Sequence, residues 1–300
     1  MKSKIERKKG FTIVELLVVL SIIMLMLGML LPAFNKVRAY SKKLNQTAQF
    51  HAIIAGLEMF YNDFEVFPES GRYDLAGAEY PGAMKLAEAM LGQDLLGLHE
   101  NSILNCDDGD ELYFKIDQIP DEESPEYISS LRMRMGPYIT RDSARPHRLE
   151  QLFPNTSAFP CDGPKYFICD VYARATNLPD PDTGEIIGGD KKIGMPVLYY
   201  KADVSKNLHN YTRYKRSKYN YEDNHELTKL GVPWDPAPIH PLFQDTDSPF
   251  PGQGEIFYAV TKDKDVITTP WPVMEDTYIL MSAGFDGLYG TEDDVYNFEN

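Results

Sequence analysis

The stretch Lys8-Lys9-Gly10-Phe11-Thr12-Ile13-Val14-Glu15-Leu16-Leu17 decides how the rest of the chain is read. Basic residues precede a glycine, and a phenylalanine then opens an apolar run that continues to Leu31, with Glu15 as its only ionisable side chain. As a helix rising ~1.5 Å per residue, such a run reaches across the ~30 Å hydrocarbon core of a bilayer. A carboxylate inside it costs about 3 kcal/mol on insertion scales, so Glu15 demands a functional reason. An ordinary secretory signal would place its cleavage site after the apolar core, behind small residues. Leu30-Leu31-Pro32-Ala33-Phe34-Asn35 does not supply that pattern.

Charge is divided unevenly around this run. Residues 1–10 carry Lys2, Lys4, Arg7, Lys8 and Lys9 against Glu6, a net of +4. Of the chain's 30 basic and 45 acidic side chains, 25 and 44 remain beyond them, a net of −19. A basic leader keeps residues 1–10 cytoplasmic and sends the acidic body across the membrane. An acidic body also argues against nucleic acid as a direct partner, because phosphate binding needs basic surface. Calcium or a basic surface is the counterpart its charge selects.

The Lys-Lys-Gly-Phe junction, with Glu15 just beyond it, resembles the class III leader of type IV prepilins and of type II secretion pseudopilins. The resemblance implies cleavage between Gly10 and Phe11 by a prepilin peptidase, N-methylation of Phe11, and retention of the apolar segment. Glu15 would then pair with the freed Phe11 ammonium of an adjacent copy. It further implies a structural, non-enzymatic role in a homo-oligomeric filament with other pseudopilins, rooted in a secretion assembly platform. The expected place is the inner membrane, single-pass, with the head periplasmic or extracellular.

From Phe11 to about Tyr61 only Pro32 interrupts a helical pattern, and a kink or short melted stretch is expected there. Val37, Leu44, Phe50, Ile53, Ile54, Leu57 and Phe60 recur at helical spacing among Lys36, Arg38, Lys42 and Lys43, an amphipathic stripe. Phe60-Tyr61-Asn62-Asp63-Phe64-Glu65-Val66-Phe67-Pro68 closes the helix and resembles the exit of the first helix in major pseudopilins. The organisation expected is a leader (1–10), a transmembrane helix (11–31), an amphipathic half (32–62) and a head (63–300). The fold class is α+β: a long N-terminal helix packed on a small antiparallel β-sheet head, with a large loop-rich insertion over about 69–276. Residues 82–98 read as a second helix, and Tyr166–Ala173, Met195–Lys201 and Thr277–Ser282 as strands. The acidic Cys106–Glu126 stretch reads as a solvated loop. The Tyr-rich tract 205–255 reads as a long loop packed onto the head by its aromatics.

Ser282-Ala283-Gly284-Phe285-Asp286-Gly287-Leu288-Tyr289-Gly290-Thr291-Glu292-Asp293-Asp294 concentrates acidic residues and glycines without a basic neighbour. Glycines permit the tight backbone of a chelating loop, and carboxylates and carbonyls are the hard oxygen donors Ca²⁺ prefers. The EF-hand ligand order is missing. The stretch resembles the calcium loop of major pseudopilins, within 282–298. Carried over, the side chains of Asp286, Asp293 and Asp294 would ligate Ca²⁺, with backbone oxygens at Ala283 and Thr291. An ion-free Asx/Gly turn is the alternative.

No H-E-x-x-H, G-x-S-x-G or Walker A pattern occurs, and the six histidines show no metal-ligand spacing. Asp180-Pro181-Asp182-Thr183-Gly184-Glu185 reads as a β-turn. Cys161 and Cys169 either pair across a hairpin or stand as buried thiols, leaving Cys106 over. Two further roles stay open: a type IV pilin for adhesion, motility or DNA uptake, and a membrane-tethered binding module that borrowed the leader.

Overall fold

The computed structural model describes residues 12–106, 112–113, 124–153, 159, 166–175, 192–234, 240–243 and 254–298. Its first element, α1 (Ile13–Phe64), is one helix that runs through Pro32 without the expected melted stretch. Proline removes a single donor, and the remaining ladder of a long helix absorbs that loss. The helix stops two residues beyond the expected Asn62. Glu65 turns into left-handed backbone (φ 59°), and its N–H donates to the Tyr61 carbonyl at 2.8 Å. Pro68 follows, so the aromatic–proline exit lies where the sequence places it.

Beyond α1 the order is α2 (Gly82–Leu91), β1 (Leu98–His99), α3 (Pro125–Arg132), β2 (Arg134–Met135), α4 (Arg141–Ala144) and β3 (Pro146–Arg148). Then come α5 (Leu149–Leu152), β4 (Tyr166–Ile168), β5 (Arg174–Ala175), β6 (Lys192–Ile193) and β7 (Leu198–Lys201). The chain closes with α6 (His225–Thr228), α7 (Glu255–Val260), β8 (Tyr278–Ser282) and β9 (Val295–Tyr296). It divides into two compact units, Met1–Leu44 and Asn45–Asn300.

In the first unit, Ile13–Leu30 is long and apolar enough to cross a membrane, and none of it is buried against protein. Val37 and Leu44, placed by sequence in the amphipathic stripe, are exposed as well. In the second unit the stripe begins in earnest. Phe50, Ile53, Leu57 and Phe60 are buried, each contributing ~1.5–3 kcal/mol relative to an exposed side chain. Two buried glutamines fasten the same segment by backbone contacts. The Gln46 amide oxygen accepts from Val171 N–H at 3.0 Å, and Gln49 Nε2 donates to the Ser143 and Cys169 carbonyls at 2.7 and 2.9 Å.

The head is built on an antiparallel sheet ordered β7-β8-β9, with Leu198 opposite Met281 and Ser282 opposite Val295. Its side chains alternate between two cores. Tyr199, Tyr278 and Leu280 face the α1 stripe and the α2 residues Leu86 and Met90. Leu198, Tyr200, Ile279 and Met281 face the opposite core, made with Tyr219, Tyr221, Leu227, Phe257 and Tyr258. The Tyr-rich tract thus covers the second face of the sheet with its aromatics, as expected, but it is not a plain loop: short 3-10 turns at Tyr211–Arg216 and Tyr221–Asn224 and the helix α6 lie within it. Burial on both faces explains why β8 reads as Tyr-Ile-Leu-Met without polar alternation.

Three further antiparallel pairs, β1–β2, β3–β4 and β5–β6, flank this centre. The second helix ends at Leu91, short of the expected Leu98. Gly92 takes φ 78°, and a Cβ there would lie 2.0 Å from the Gly97 carbonyl oxygen. The strand expected over Tyr166–Ala173 stops at Ile168, followed by an isolated bridge between Cys169 and Pro196. The one expected over Met195–Lys201 begins only at Leu198. The expected acidic loop ends in α3, where Ser124 accepts from Tyr127 N–H at 3.2 Å and Pro125 opens the helix. Cys169 is a free, buried thiol and Cys106 is disulfide-bonded, so a Cys161–Cys169 bridge is not formed. The Asp180–Glu185 turn and Cys161 lie outside the described residues.

Candidate functional site

Two places carry chemistry. The first is the start of α1. Gly10 and Phe11 lie outside the described residues, which begin one position beyond the expected cleavage. Thr12 Oγ1 accepts from Glu15 N–H at 3.2 Å, while Glu15 Oε2 accepts from Thr12 N–H at 2.9 Å and Thr12 Oγ1–H at 2.7 Å. This is a capping box, Thr at the N-cap and Glu at N3, which satisfies backbone donors a helix start leaves unpaired. The signal Thr12-x-x-Glu15 is readable in the sequence as a capping-box pattern ahead of an apolar run.

The second is the loop between β8 and β9. Ser282 and Val295 are partnered, so the neck of the loop is closed by the sheet itself. Gly284 brings the two legs together: it takes φ 65°, and a Cβ there would lie 2.3 Å from the Asp293 carbonyl oxygen. The acidic side chains then fold inward. Asp293 Oδ2 accepts from Asp286 N–H at 2.9 Å, and its Oδ1 accepts from Thr291 Oγ1–H at 2.6 Å. Asp286 Oδ1 accepts from Leu288 N–H at 2.7 Å. Asp294 Oδ2 accepts from Gly290 N–H at 2.7 Å and the Tyr296 hydroxyl at 3.0 Å, leaving Oδ1 buried without a hydrogen bond.

Burial pushes the Asp294 carboxyl up to about 7, with the Asp293 and Asp286 charges adding to it against the Gly290 and Tyr296 donors. Burial also raises Asp286, and the Asp293 charge adds to it. Three carboxylates on one short loop therefore strain against one another electrostatically.

Two anchors from far away in sequence hold this loop in place. Asp170, buried, accepts from Ser282 Oγ–H at 2.8 Å and from Tyr172 and Met195 N–H at 3.1 Å. His240 Nδ1 accepts from Tyr289 N–H at 3.1 Å, and its Nε2–H donates to the Gly231 carbonyl at 3.0 Å. Burial lowers this imidazole to about 4, so it stays neutral and keeps that tautomer. The fold also supplies a basic neighbour that the local sequence lacks. Arg174 donates to the Phe285 carbonyl and lies over the Trp234 and Phe285 rings at 4.9 and 5.5 Å.

Asp286, Asp293 and Asp294 thus share one hydrogen-bonded loop, with Ala283 buried and Thr291 half-buried on it. Among the described residues, no three His, Cys, Asp or Glu side chains are grouped to hold a metal ion. Oxygens of Asp286 and Asp293 are occupied by loop donors. Residues 6–31 match the prokaryotic N-terminal methylation motif. Together with the exposed apolar helix Ile13–Leu30 that lies within the match, this prepilin-type leader is consistent with a type IV pilin-like protein, and it implies membrane association and processing by a prepilin peptidase. No curated protein and no solved structure matches the chain.

Proposed function

We propose that this chain is a structural filament subunit, a pseudopilin of a type II secretion-like apparatus, and not an enzyme. The observation that carries the reading is the methylation motif joined to an unburied apolar helix. Cleavage between Gly10 and Phe11 frees an ammonium at Phe11, and α1 packs with the α1 helices of neighbouring copies. Glu15 meets a neighbour's ammonium there, and in a low-dielectric bundle the pair fixes axial register. Within a single chain, the Thr12 N–H and hydroxyl both donate to Glu15 Oε2, so the carboxylate is partly satisfied before a neighbour arrives. The head stands on the periplasmic or extracellular side.

Ca²⁺ at the 282–298 loop belongs to this reading. Its support is the mutual repulsion of Asp286, Asp293 and Asp294 on one loop and the orphaned Asp294 Oδ1. The three side chains are not grouped around one point as they stand, so uptake of the ion requires them to turn. A hard cation taken up by these carboxylates would offset the repulsion, in exchange for some of the loop hydrogen bonds.

Production with prepilin peptidase and a type II assembly platform tests the role. A pseudopilin yields short fibres, and its deletion strands secreted proteins in the periplasm. Normal secretion after deletion, with loss of adhesion, motility or DNA uptake, would assign the chain to type IV pili instead. The large second core built by the Tyr-rich tract is what favours that alternative.

A further inference from the structure

A polar cleft of about 430 Å³ opens at the end of β7, wholly within the Asn45–Asn300 unit. Sites for small ligands span ~300–1,000 Å³, so it has an ordinary size for one. Asp223 lines it and is 5 % exposed. Its Oδ2 accepts from the Ser70 hydroxyl at 2.6 Å, and Ser70 Oγ in turn accepts from Lys201 N–H at 2.9 Å. Asp223 Oδ1 has no hydrogen-bond partner among the described residues, although buried polar atoms are ordinarily paired.

The rest of the lining carries charge of both signs, already matched. Lys201 Nζ lies 2.5 Å from Glu69 Oε1, and Lys206 Nζ 3.0 Å from Asp203 Oδ2. Lys218, buried, donates to the Glu275 carbonyl and to Asp276 Oδ1 at 3.0 and 3.1 Å. An ammonium has three N–H donors, so each lysine keeps at least one after these contacts. Asn220 Oδ1 accepts from Glu222 N–H at 3.2 Å, which leaves its amide N–H groups to the cleft. A charged ligand would have to break one of the ion pairs, whereas a neutral one leaves them intact. The group that answers spare N–H donors and an unfilled carboxyl oxygen together is a hydroxyl, which both accepts and donates. Burial pushes Asp223 up to about 7, against the Ser70 hydrogen bond and the Lys85 and Lys206 charges. Its charged form accepts from a hydroxyl and its neutral form donates to one.

We propose that this cleft binds a neutral, hydroxyl-rich ligand, a mono- or disaccharide, through Asp223 Oδ1, the Asn220 amide and the Lys206 ammonium. Binding there does not depend on whether α1 enters a filament, because the cleft belongs to the head alone.

Saturation-transfer NMR on the full chain in a sugar-free detergent tests it. Maltose, cellobiose, lactose and diacetylchitobiose are the neutral probes, with inorganic phosphate and galacturonic acid as charged ones. At least one neutral sugar should bind with a Kd of roughly millimolar or below. Asp223→Asn keeps the Ser70 hydrogen bond through its amide oxygen and turns an N–H group into the cleft, so it should weaken binding roughly tenfold or more. Lys206→Ala removes a half-exposed ammonium, and Asn220→Ser keeps the turn cap while removing the amide. Each should weaken binding roughly threefold or more, and they decide the matter if Asp223→Asn does not fold. Failure of every neutral sugar to bind would overturn the site. So would tighter binding of phosphate or galacturonic acid, or affinity unchanged in the variants that fold.

Discussion

Thr12 and Glu15 hold each other in a closed loop of three hydrogen bonds at the start of α1, within an otherwise apolar segment. The carboxylate therefore has two possible uses: capping its own helix, and pairing with the Phe11 ammonium of a neighbour. Glu15→Gln separates them, because the amide oxygen still accepts from Thr12 but carries no charge. The expected outcome is normal insertion, normal cleavage and no fibres, seen by electron microscopy of sheared cells. Glu15→Val should behave alike. Normal fibre yield from Glu15→Gln would show that the cap, rather than the charge, is what assembly requires.

The acidic loop should respond to Ca²⁺. A ligand bound only by the folded state adds ~2.7 kcal/mol when its free concentration is one hundred times Kd. Extracellular calcium sites bind at about 10⁻⁴–10⁻³ M, so the effect belongs in the millimolar range. A soluble fragment beginning at Ser41 should melt roughly 5–10 °C higher in saturating Ca²⁺ than in EDTA, at ~2–4 °C per kcal/mol. Mg²⁺ should substitute poorly, because it demands tighter octahedral geometry. Asp293→Ala with Asp294→Ala should erase the difference. Equal melting temperatures in Ca²⁺ and EDTA would leave the loop an ordinary turn.

Acidity gives an independent handle on the same loop. Asp294 titrates at about 7 in the fold, above the ~3.9 of an unfolded aspartate, because burial disfavours its charge. Its contribution is thus complete below about pH 4 and is lost as pH rises through about 7. Buried Asp223, which accepts from the Ser70 hydroxyl at 2.6 Å, is also pushed to about 7 by burial and acts in the same direction. Buried His209 and His240, lowered to about 4, act in the opposite direction over the same window, so the variant is what isolates the carboxyl. In EDTA, Asp294→Asn should raise the melting temperature at about pH 8 relative to that at about pH 5.5 by comparison with the parent. Ca²⁺ should stabilise more at the higher pH, where it does not compete with the proton. An Asp294→Asn variant whose melting temperature follows pH as the parent's does would contradict the burial of this carboxyl.

What the sequence made legible follows the range of the interactions involved. The leader, the long helix and the centres of β7 and β8 are written in runs and spacings that a local reading can follow. The end of α2 is not, since Leu95 and Leu98 continue its apolar pattern; only the close approach of Gly97 to Gly92 stops it. The start of α3 is legible in Ser124-Pro125, an N-cap serine followed by a proline at the first helical position. Strands of two or three residues such as β1, β2 and β5 carry no periodicity to read. At the acidic loop, Asp286, Asp293 and Asp294 were visible as a cluster, but Asp170, His240 and Arg174 were not. They arrive through tertiary contacts with no motif of their own.

The amphipathic stripe offers a contrast between two leucines of one helix. Leu57 is fully buried in the core shared with α2 and the sheet, whereas Leu44 is exposed. Leu57→Ala should destabilise the fragment by about 2–5 kcal/mol in urea unfolding, from lost transfer energy and the cavity left behind. Leu44→Ala should stay within about 0.5 kcal/mol of the parent. Comparable losses from both would mean that the stripe extends down to Leu44.

The central claim is that Lys8-Lys9-Gly10-Phe11 is a processed junction and that the apolar segment after it is kept. Mass spectrometry of the N-terminal peptide, from membranes of cells with an active prepilin peptidase, tests it most directly. The mature chain should begin at Phe11 and carry one N-methyl group, and replacing Gly10 with a bulky residue should leave the leader attached. A chain that still begins at Met1 or Lys2, or one cut after Leu31, would contradict the assignment.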